Sequence, residues 1–235
     1  MNRFIQKIKK DNLITSVGII SAGIGNRIKS NEPRCLLKVG GCTLLEHQIS
    51  LIKNIFASPK IIVGLGVAAD KIIKKLGTEV RYVENQLYEN TGSAETMRLI
   101  VNNCETDDIL LFHGDLYFDA EVLEGLDYSK SFIIASKTAM KDREVGVTNV
   151  KDRVTIFSHG LELKWCQIVH LRGKELTILR QLLTKNSEEI KNMLTFEVLN
   201  LIIDKGGNIK IIEPEKISIL EIDCMKDLKN EDFNK

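Results

Sequence analysis

Proline, tryptophan and long apolar runs are scarce in this sequence. Three prolines in 235 residues, with no linker rich in serine and glycine, favour one domain over two. No apolar run approaches the roughly 18 residues that suggest a membrane span. The opening MNRFIQKIKKDN has no apolar core of the kind that a secretory signal contains. We therefore expect a single cytoplasmic domain over residues 1–235 that does not enter a membrane.

Paired cysteines and an excess of either charge are also missing. The cysteines are odd in number and form no C-x-x-C pair, which argues against a disulfide framework and against a zinc site. We expect mostly buried thiols at Cys35, Cys42, Cys104, Cys166 and Cys224. Lysine and arginine number 33 against 32 aspartates and glutamates, so the chain lacks the basic excess of a protein that binds nucleic acid by neutralising phosphates. An anionic ligand must be bound by local charges.

Apolar β-branched runs alternate with amphipathic segments along much of the chain. The pattern predicts strands at 16–21, 60–66, 79–85, 108–115 and 131–137, and helices at 44–56, 68–76 and 93–103. Such alternation is typical of the α/β class, in which helices flank a mostly parallel central sheet.

The last part of the chain is less regular. Residues 144–159 alternate apolar and polar around Lys151-Asp152, which predicts an antiparallel hairpin. Further helices are predicted at 176–185 and 195–207, and a strand at 208–214. We therefore predict one Rossmann-like α/β domain with a mixed, mostly parallel sheet and an antiparallel insertion at about 144–165.

Four segments that carry polar or glycine residues follow predicted strands. They are the loop after Ile20, Glu84-Asn85, His113-Gly114-Asp115 and Glu221-Ile222-Asp223. In open α/β sheets, ligands bind outside the carboxyl ends of the strands. We therefore expect these four segments to converge on one site.

The loop after the first strand has the composition of an anion-binding turn. In SAGIGNRIKSNEPRCLLKVGG (21–41), Gly23 and Gly25 allow backbone N–H groups to approach phosphate oxygens, and Arg27 adds a charged fork. Residue 28 is Ile, so the G-x-G-x-x-G dinucleotide fingerprint is incomplete, and G-K-[ST] of a Walker A loop is absent. The glycine pattern alone is equally compatible with a tight turn.

Taken in order, these segments resemble the nucleotidyltransferase superfamily with a glycosyltransferase-A-like fold, which includes sugar-phosphate nucleotidyltransferases and choline-phosphate cytidylyltransferases. The family opens with A-G-x-G-x-R, then P-K-x-L-L-x-V-x-G and a helix that begins like L-L-E-H. This sequence has AGIGNR (22–27), PRCLLKVGG (33–41) and LLEH (44–47). Residues 84–99 are similar to the family segment that contacts the base, and LLFHGD and LEID are similar to its two metal segments.

The resemblance implies an activity and a set of site residues. The glycine loop would wrap the triphosphate of an NTP, and Arg27 and Arg34 would stabilise charge on the phosphates while a phosphorylated acceptor attacks. The implied nucleotide-binding residues are Ser21, Ala22, Gly23, Ile24, Gly25, Asn85, Gly92, Ser93 and Gly114. The reaction would release pyrophosphate and requires cations more than a base, because a phosphate nucleophile is already ionised.

Asp115 and Asp223 are the implied metal ligands. Mg²⁺ suits the role because it binds carboxylate and phosphate oxygens together. Taken singly, Asp115 is equally typical of a turn after glycine, and Asp223 of a helix N-cap before MKDLKN. As a pair within the resemblance, both are assigned to Mg²⁺.

The sequence departs from the family at the residue after Pro33, where the family has lysine and this chain has Arg34. Arginine keeps the charge but replaces a compact ammonium with a planar fork, so the change is not conservative. Lys38, four residues later, is a candidate to compensate. The departure leaves the efficiency of catalysis open.

The acceptor and the nucleotide are less constrained. Candidate acceptor residues are Glu144, Lys164, Trp165 and Glu197. Lys164 next to Trp165 would bind a phosphate and cover an organic cation or a sugar face, although a lone tryptophan is more often a packing residue. The acceptor is a sugar 1-phosphate or a phosphocholine-like or phosphonate compound. CTP is favoured over UTP, and His47 and His113 are interpreted as structural.

Two other functions remain open at this point. A glycosyltransferase of the same broad fold would use an activated nucleotide sugar, but it is expected to have D-x-D where this chain has His113-Gly114-Asp115. A nucleotide-binding protein without activity is suggested by Arg34 alone. A homodimer, formed through the 144–165 insertion, is compatible with the resemblance.

Overall fold

The computed structural model describes residues 16–23, 33–184, 187–214 and 219–222. In chain order the strands are β1 (Ser16–Ser21), β2 (Lys38–Val39), β3 (Cys42–Thr43), β4 (Lys60–Leu65), β5 (Arg81–Glu84), β6 (Asp108–His113), β7 (Leu116–Phe118), β8 (Phe132–Ser136), β9 (Val145–Val150), β10 (Arg153–His159), β11 (Leu163–Arg172), β12 (Lys210–Ile212) and β13 (Ile219–Glu221). The α-helices are α1 (Leu44–Ile55), α2 (Ala69–Leu76), α3 (Ser93–Asn102), α4 (Gly173–Thr184), α5 (Glu188–Asn192) and α6 (Thr195–Asp204). Among these helices, none has the length and apolar character needed to cross a lipid bilayer.

Nine of the described strands form the central sheet, in the order β5-β4-β1-β6-β11-β8-β12-β10-β9. The first four run parallel. β11 runs antiparallel to β6, β8 and β9 and joins the parallel half to the β9–β10 hairpin. The mixed α/β sheet predicted from the sequence is confirmed. Its antiparallel part extends beyond the predicted insertion, because β11 continues to Arg172 in the middle of the sheet.

Helices cover both faces of the sheet. α1 and α2 pack on one face, against buried side chains of β1 and β4. α3, α4 and α6 pack on the other face, where the core includes Ile20 and Val169. Two core clusters on opposite faces explain why all six residues of β1 are buried.

Two glycines bring α3 close to the sheet. A Cβ atom on Gly18 would lie 2.6 Å from the Ile100 side chain, and one on Gly64 would lie 2.4 Å from the Thr96 side chain. Neither distance is compatible with a larger residue. The close approach places the N-terminus of α3, at Ser93, beside the carboxyl ends of β1 and β4.

The first helix fixes the turn between β6 and β7. Thr43 and Glu46 form a capping box at the start of α1. Gln48 of the same helix is buried and donates through Nε2 to the carbonyls of His113 (3.0 Å) and Leu116 (2.7 Å). Both ends of the turn that carries Gly114 and Asp115 are therefore held by one side chain.

The cysteines largely agree with the sequence interpretation. Cys35, Cys104 and Cys166 are buried free thiols, and Cys42 is half-buried. Cys224 lies outside the described residues.

Candidate active site

A cavity of about 190 Å³ opens at the carboxyl ends of β1, β5 and β6. It is lined by the predicted residues Ser21, Ala22, Gly23, Arg34, Asn85, Gly92, Ser93, Gly114 and Asp115. The predicted residues Ile24, Gly25, Arg27 and Asp223 lie outside the described residues. Within the described part of the chain, the convergence of strand ends expected from the sequence is present.

Arg34 and Asp115 form an ion pair in this cavity. Nη1 of Arg34 donates to Oδ2 of Asp115 at 2.6 Å, and the two side chains are 23% and 18% exposed. The other carboxylate oxygen, Oδ1, is buried and has no hydrogen-bond partner among the described residues. Buried polar atoms are normally paired, so Oδ1 is available to a ligand that enters the cavity.

The backbone of Asp115 is held from two directions. Gly114 N–H donates to the carbonyl of Ile20 at 2.9 Å, which joins the end of β6 to the end of β1. Ile222 N–H donates to the carbonyl of Asp115 at 2.9 Å, as a continuation of the β7–β13 ribbon in which Glu221 pairs with Leu116. The next residue in the sequence is Asp223. The fourth segment singled out in the sequence therefore reaches Asp115.

The described residues fit a hard metal ion that has few protein ligands. They contain no cluster of three or more acidic, histidine or cysteine side chains around one point. They do present one buried and unpaired carboxylate oxygen, on Asp115. Mg²⁺ is typically bound by one or two carboxylates together with substrate phosphates and water, and this donor matches that pattern.

Asn85 and Gly92 form part of the cavity wall. The Asn85 side chain donates to the hydroxyls of Thr91 (3.0 Å) and Thr96 (3.2 Å) and accepts from Leu87 N–H (3.0 Å). Its amide is thus engaged in holding the loop between β5 and α3. A Cβ on Gly92 would lie 2.0 Å from the carbonyl oxygen of Met193, so glycine is required there by packing.

The end of α5 and the start of α6 support the N-terminus of α3, which the sequence patterns did not indicate. Thr195 N–H donates to Ser93 Oγ at 2.8 Å, and the two hydroxyls are also 2.8 Å apart. Gly92 N–H donates to the carbonyl of Lys191 at 2.8 Å. A sequence signal for these contacts is lacking because the partners are about one hundred residues apart.

A second cavity of about 600 Å³ adjoins the first on the side of β9 and β11. Five residues line both cavities: Gly23, Arg34, Tyr88, Ser93 and His113. Lys164, predicted as an acceptor ligand, lies in the second cavity and pairs with Glu144 at 2.5 Å, with exposures of 19% and 12%. The two cavities form a continuous cleft with Arg34 at their junction.

Three other sequence assignments take different roles in the structure. Trp165 is only 3% exposed, so it packs in the wall of the second cavity and does not cover a ligand as an open face would. Glu197 accepts from Leu194 N–H at 2.6 Å and caps α6 outside both cavities. Lys38 is exposed on β2 and lines neither cavity, so it does not compensate for the change at Arg34.

Contacts or burial hold the histidine and cysteine side chains near the cleft. His47 Nε2 lies 2.9 Å from the carbonyl of Phe118, and its ring stacks on Tyr117. Burial lowers the pKa of His113, although the Asp115 carboxylate opposes the shift. Burial, reinforced by Asp115, raises the pKa of Cys35 to about 12, so this thiol stays protonated at neutral pH.

A comparison with protein-family models finds one match, in the N-terminal half of the chain. The model of the MobA-like NTP transferase domain matches residues 17–127, a stretch that contains β1, Arg34, Asn85, Ser93 and Asp115. This match confirms the resemblance to nucleotidyltransferases over these residues.

Whole-protein relatives and solved structures agree with this match. The bifunctional protein GlmU of Methanococcus vannielii is 28% identical over 195 residues, which are 81% of this chain and 40% of that protein. The chain spans between 22% and 40% of the length of several such relatives.

Two solved structures share the fold of nearly the whole chain. The inositol-1-phosphate CTP transferase of T. maritima has a TM-score of 0.77 and 17% identity and covers 94% of both chains. The CTP:phosphocholine cytidylyltransferase of Streptococcus pneumoniae has a TM-score of 0.69 and 18% identity, with coverage of 92% of this chain and 96% of that one. The glycosyltransferase-A-like fold expected from the sequence is confirmed.

Proposed function

We propose that this chain, in which residues 17–127 form a MobA-like NTP transferase domain, transfers a nucleoside monophosphate from an NTP to the phosphate of a small acceptor. The transferred group is CMP by preference, with UMP as the second choice. Pyrophosphate is the second product. Asp115 and Asp223 would hold Mg²⁺, which would supply Lewis-acid polarisation of the NTP phosphates.

The observation that carries this proposal is the position of Arg34 beside Asp115 at the junction of the two cavities. One cavity takes the nucleotide, between the loop after β1 and the N-terminus of α3. The other takes the acceptor. A cation at the junction lies where the two phosphates meet, so it stabilises the charge that develops there.

The chemical step follows from this arrangement. An oxygen of the acceptor phosphate attacks the α-phosphorus of the NTP, and the bond from that phosphorus to the bridging oxygen breaks. The departing pyrophosphate carries the negative charge away. The acceptor oxygen needs no general base because it is ionised near neutral pH. Arg34 neutralises the approaching anions and orients them.

Close packing supports the use of backbone groups to bind the triphosphate. A Cβ on Gly114 would lie 1.8 Å from Ser21 Oγ, so the ends of β1 and β6 approach each other as only glycine permits. Gly23 at the start of the loop has no described atom within 4 Å of a Cβ position. Gly23 lines the cavity, and backbone N–H groups of such glycine loops bind phosphate oxygens.

The preference for CTP rests on the sequence interpretation and on the names of the two structural neighbours, both of which use CTP. On the acceptor side, Lys164 is the cation that receives the acceptor phosphate or its neighbouring groups. Its pairing with Glu144 keeps it in place before the acceptor arrives.

The test is a pyrophosphate-release assay with Mg²⁺ and each of CTP, UTP, GTP, ATP and dTTP. Each nucleotide is combined with sugar 1-phosphates, inositol 1-phosphate, phosphocholine and aminoethylphosphonate. We expect release with CTP and one acceptor class, and loss of release in EDTA. Absence of release with every pair, together with a nucleotide-induced rise in melting temperature, would instead identify a nucleotide-binding protein without transferase activity.

A further inference from the structure

The wall of the larger cavity contains a strand residue in a backbone conformation that favours glycine. Gln167 has φ of 59°, in the left-handed region that non-glycine residues seldom occupy. It lies in β11 between Trp165, which pairs with Ala135 of β8, and Val169, which pairs with Ile133. Three residues of β11 thus face one of β8, so the strand bulges at Gln167.

The bulge is held by buried contacts. The indole N–H of Trp165 donates to the carbonyl of Ile168 at 3.3 Å, across the bulge. The Trp165 ring packs edge-on against Phe157, with 5.4 Å between centroids. Strained conformations persist where surrounding packing over-determines them, and they concentrate at functional sites.

The Gln167 side chain is placed where a ligand would meet it. It lines the 600 Å³ cavity and also a small adjoining cavity of about 40 Å³. Within the described ranges, no hydrogen bond engages its carboxamide. A carboxamide offers an N–H donor and a carbonyl acceptor side by side, which matches two adjacent hydroxyl groups.

We propose that Gln167 determines acceptor specificity and that the acceptor is a polyhydroxylated phosphate, such as a sugar or cyclitol phosphate, whose neighbouring hydroxyls bond to this carboxamide. The inference rests on the proposed function and names the acceptor class of the same cleft. Trp165 is a positioning residue, because it acts only by holding the bulge.

The lining of the cavity contains more basic than acidic side chains. The basic residues are Arg34, Lys141, Arg143 and Lys164, and the acidic residues are Glu89, Glu144 and Glu221. Glu144 and Lys164 are paired with each other, so Lys141 and Arg143 are the cations nearest to hand for an acceptor phosphate. A phosphate suits these cations. A trimethylammonium group would add another cation, and it would leave the carboxamide of Gln167 unpaired because it has no hydrogen-bonding atoms.

The test compares Gln167→Gly with Lys151→Gly. Lys151 has φ of 60° in the β9–β10 turn, outside both cavities, so both substitutions relieve similar backbone strain. Binding of glucose 1-phosphate, mannose 1-phosphate and inositol 1-phosphate is measured by calorimetry with Mg²⁺, with and without the uncleavable α,β-methylene CTP. Phosphocholine is titrated in parallel. Both variants should melt at or above the wild-type temperature.

We expect at least one polyol phosphate to bind the wild type and to bind Gln167→Gly about tenfold more weakly, as for loss of one or two neutral hydrogen bonds. Lys151→Gly should bind as the wild type does. Equal affinity in Gln167→Gly, binding of phosphocholine alone, or no binding of any polyol phosphate to the wild type would each overturn the inference. Binding that depends on Gln167 without pyrophosphate release would refute the transferase function and leave the inference standing.

Discussion

Arg34 and Asp115 are 81 residues apart in the sequence and share a 2.6 Å hydrogen bond in the cleft. The pair joins the residue that departs from the family pattern to the carboxylate expected to bind Mg²⁺. Arg34 contacts Oδ2, so the other oxygen, Oδ1, is the one that Mg²⁺ would bind without breaking the ion pair.

Arg34→Lys should retain or raise the rate of pyrophosphate release, because lysine keeps the charge at this position. Arg34→Met should lower kcat by about 100-fold, the typical loss when one preorganised donor to a developing anion is removed. Lys38→Met, on the exposed side of β2, is the matched control and should leave the rate of pyrophosphate release unchanged. A large loss in Arg34→Lys would mean that catalysis depends on the planar guanidinium.

Asp115→Asn should abolish Mg²⁺-dependent turnover and leave the fold intact, since the change removes charge with little change of shape. The ion pair that it breaks is partly exposed, so the free energy of unfolding should change by less than about 1 kcal/mol. Asp223→Asn should have the same effect on turnover. Rates are measured against Mg²⁺ concentration, with Asp70→Asn on the surface of α2 as control. Wild-type rates in both cleft variants would refute the metal assignment.

Gly92→Ala and Gly23→Ala should separate packing from ligand binding. The new Cβ at residue 92 would meet the carbonyl of Met193 at 2.0 Å, so unfolding in urea should show a loss of about 1–3 kcal/mol. At residue 23 no described atom lies within 4 Å of the new Cβ, so stability should be kept while the KM for NTP rises. An unchanged urea midpoint for Gly92→Ala would contradict the contact with Met193.

The protein should lose stability between pH 6.5 and pH 4 through His170. Burial lowers the pKa of His170 to about 4, against an opposing hydrogen bond from its Nδ1–H to the carbonyl of Lys130 at 2.8 Å. In the folded protein, His170 therefore stays neutral in this pH interval, whereas in the unfolded chain it takes up a proton. Stability is complete above pH 6.5 and falls by on the order of 3 kcal/mol by pH 4.

The check is the pH dependence of urea midpoints in wild type and His170→Phe. His170→Phe lacks the titrating group, so its urea midpoint should change less with pH than that of the wild type. This holds whatever the absolute stability of the variant. His113, also buried with a lowered pKa, contributes in the same direction and remains in both proteins. Asp108 and Arg172 are the nearby charges, and neither is altered. An identical slope in the two proteins would assign the acid sensitivity to other groups.

Much of the fold follows from local sequence patterns. β1 spans Ser16–Ser21 as predicted, α1 and α3 lie within one or two residues of their predicted bounds, and the hairpin turns at Lys151-Asp152. Each of these segments has a clear period or a clear turn, which local sequence determines. The convergence of the carboxyl ends of the strands could also be predicted from the sequence, because it depends only on the strands being parallel.

β11 could not be found in the same way. Its sequence LKWCQIVHLR mixes charged, aromatic and aliphatic residues without a regular period. The bulge at Gln167 interrupts the alternation, and the conformation there is imposed by Trp165 and its neighbours. For Trp165 the structure shows the packing role that the sequence interpretation favoured over covering a ligand. Tertiary packing determines both the bulge at Gln167 and the role of Trp165, and the periodicity of the sequence contains no information on this packing.

Because the cleft includes the β7–β13 ribbon described above, it should form late in folding. Its two strands come from distant parts of the chain, and Ile222 reaches Asp115 only after they pair. Closing such a long loop costs entropy, so this pairing forms after the local helices and hairpins. During refolding, secondary structure should therefore recover before catalytic competence, and a translating ribosome must synthesise almost all of the described chain before the cleft can close.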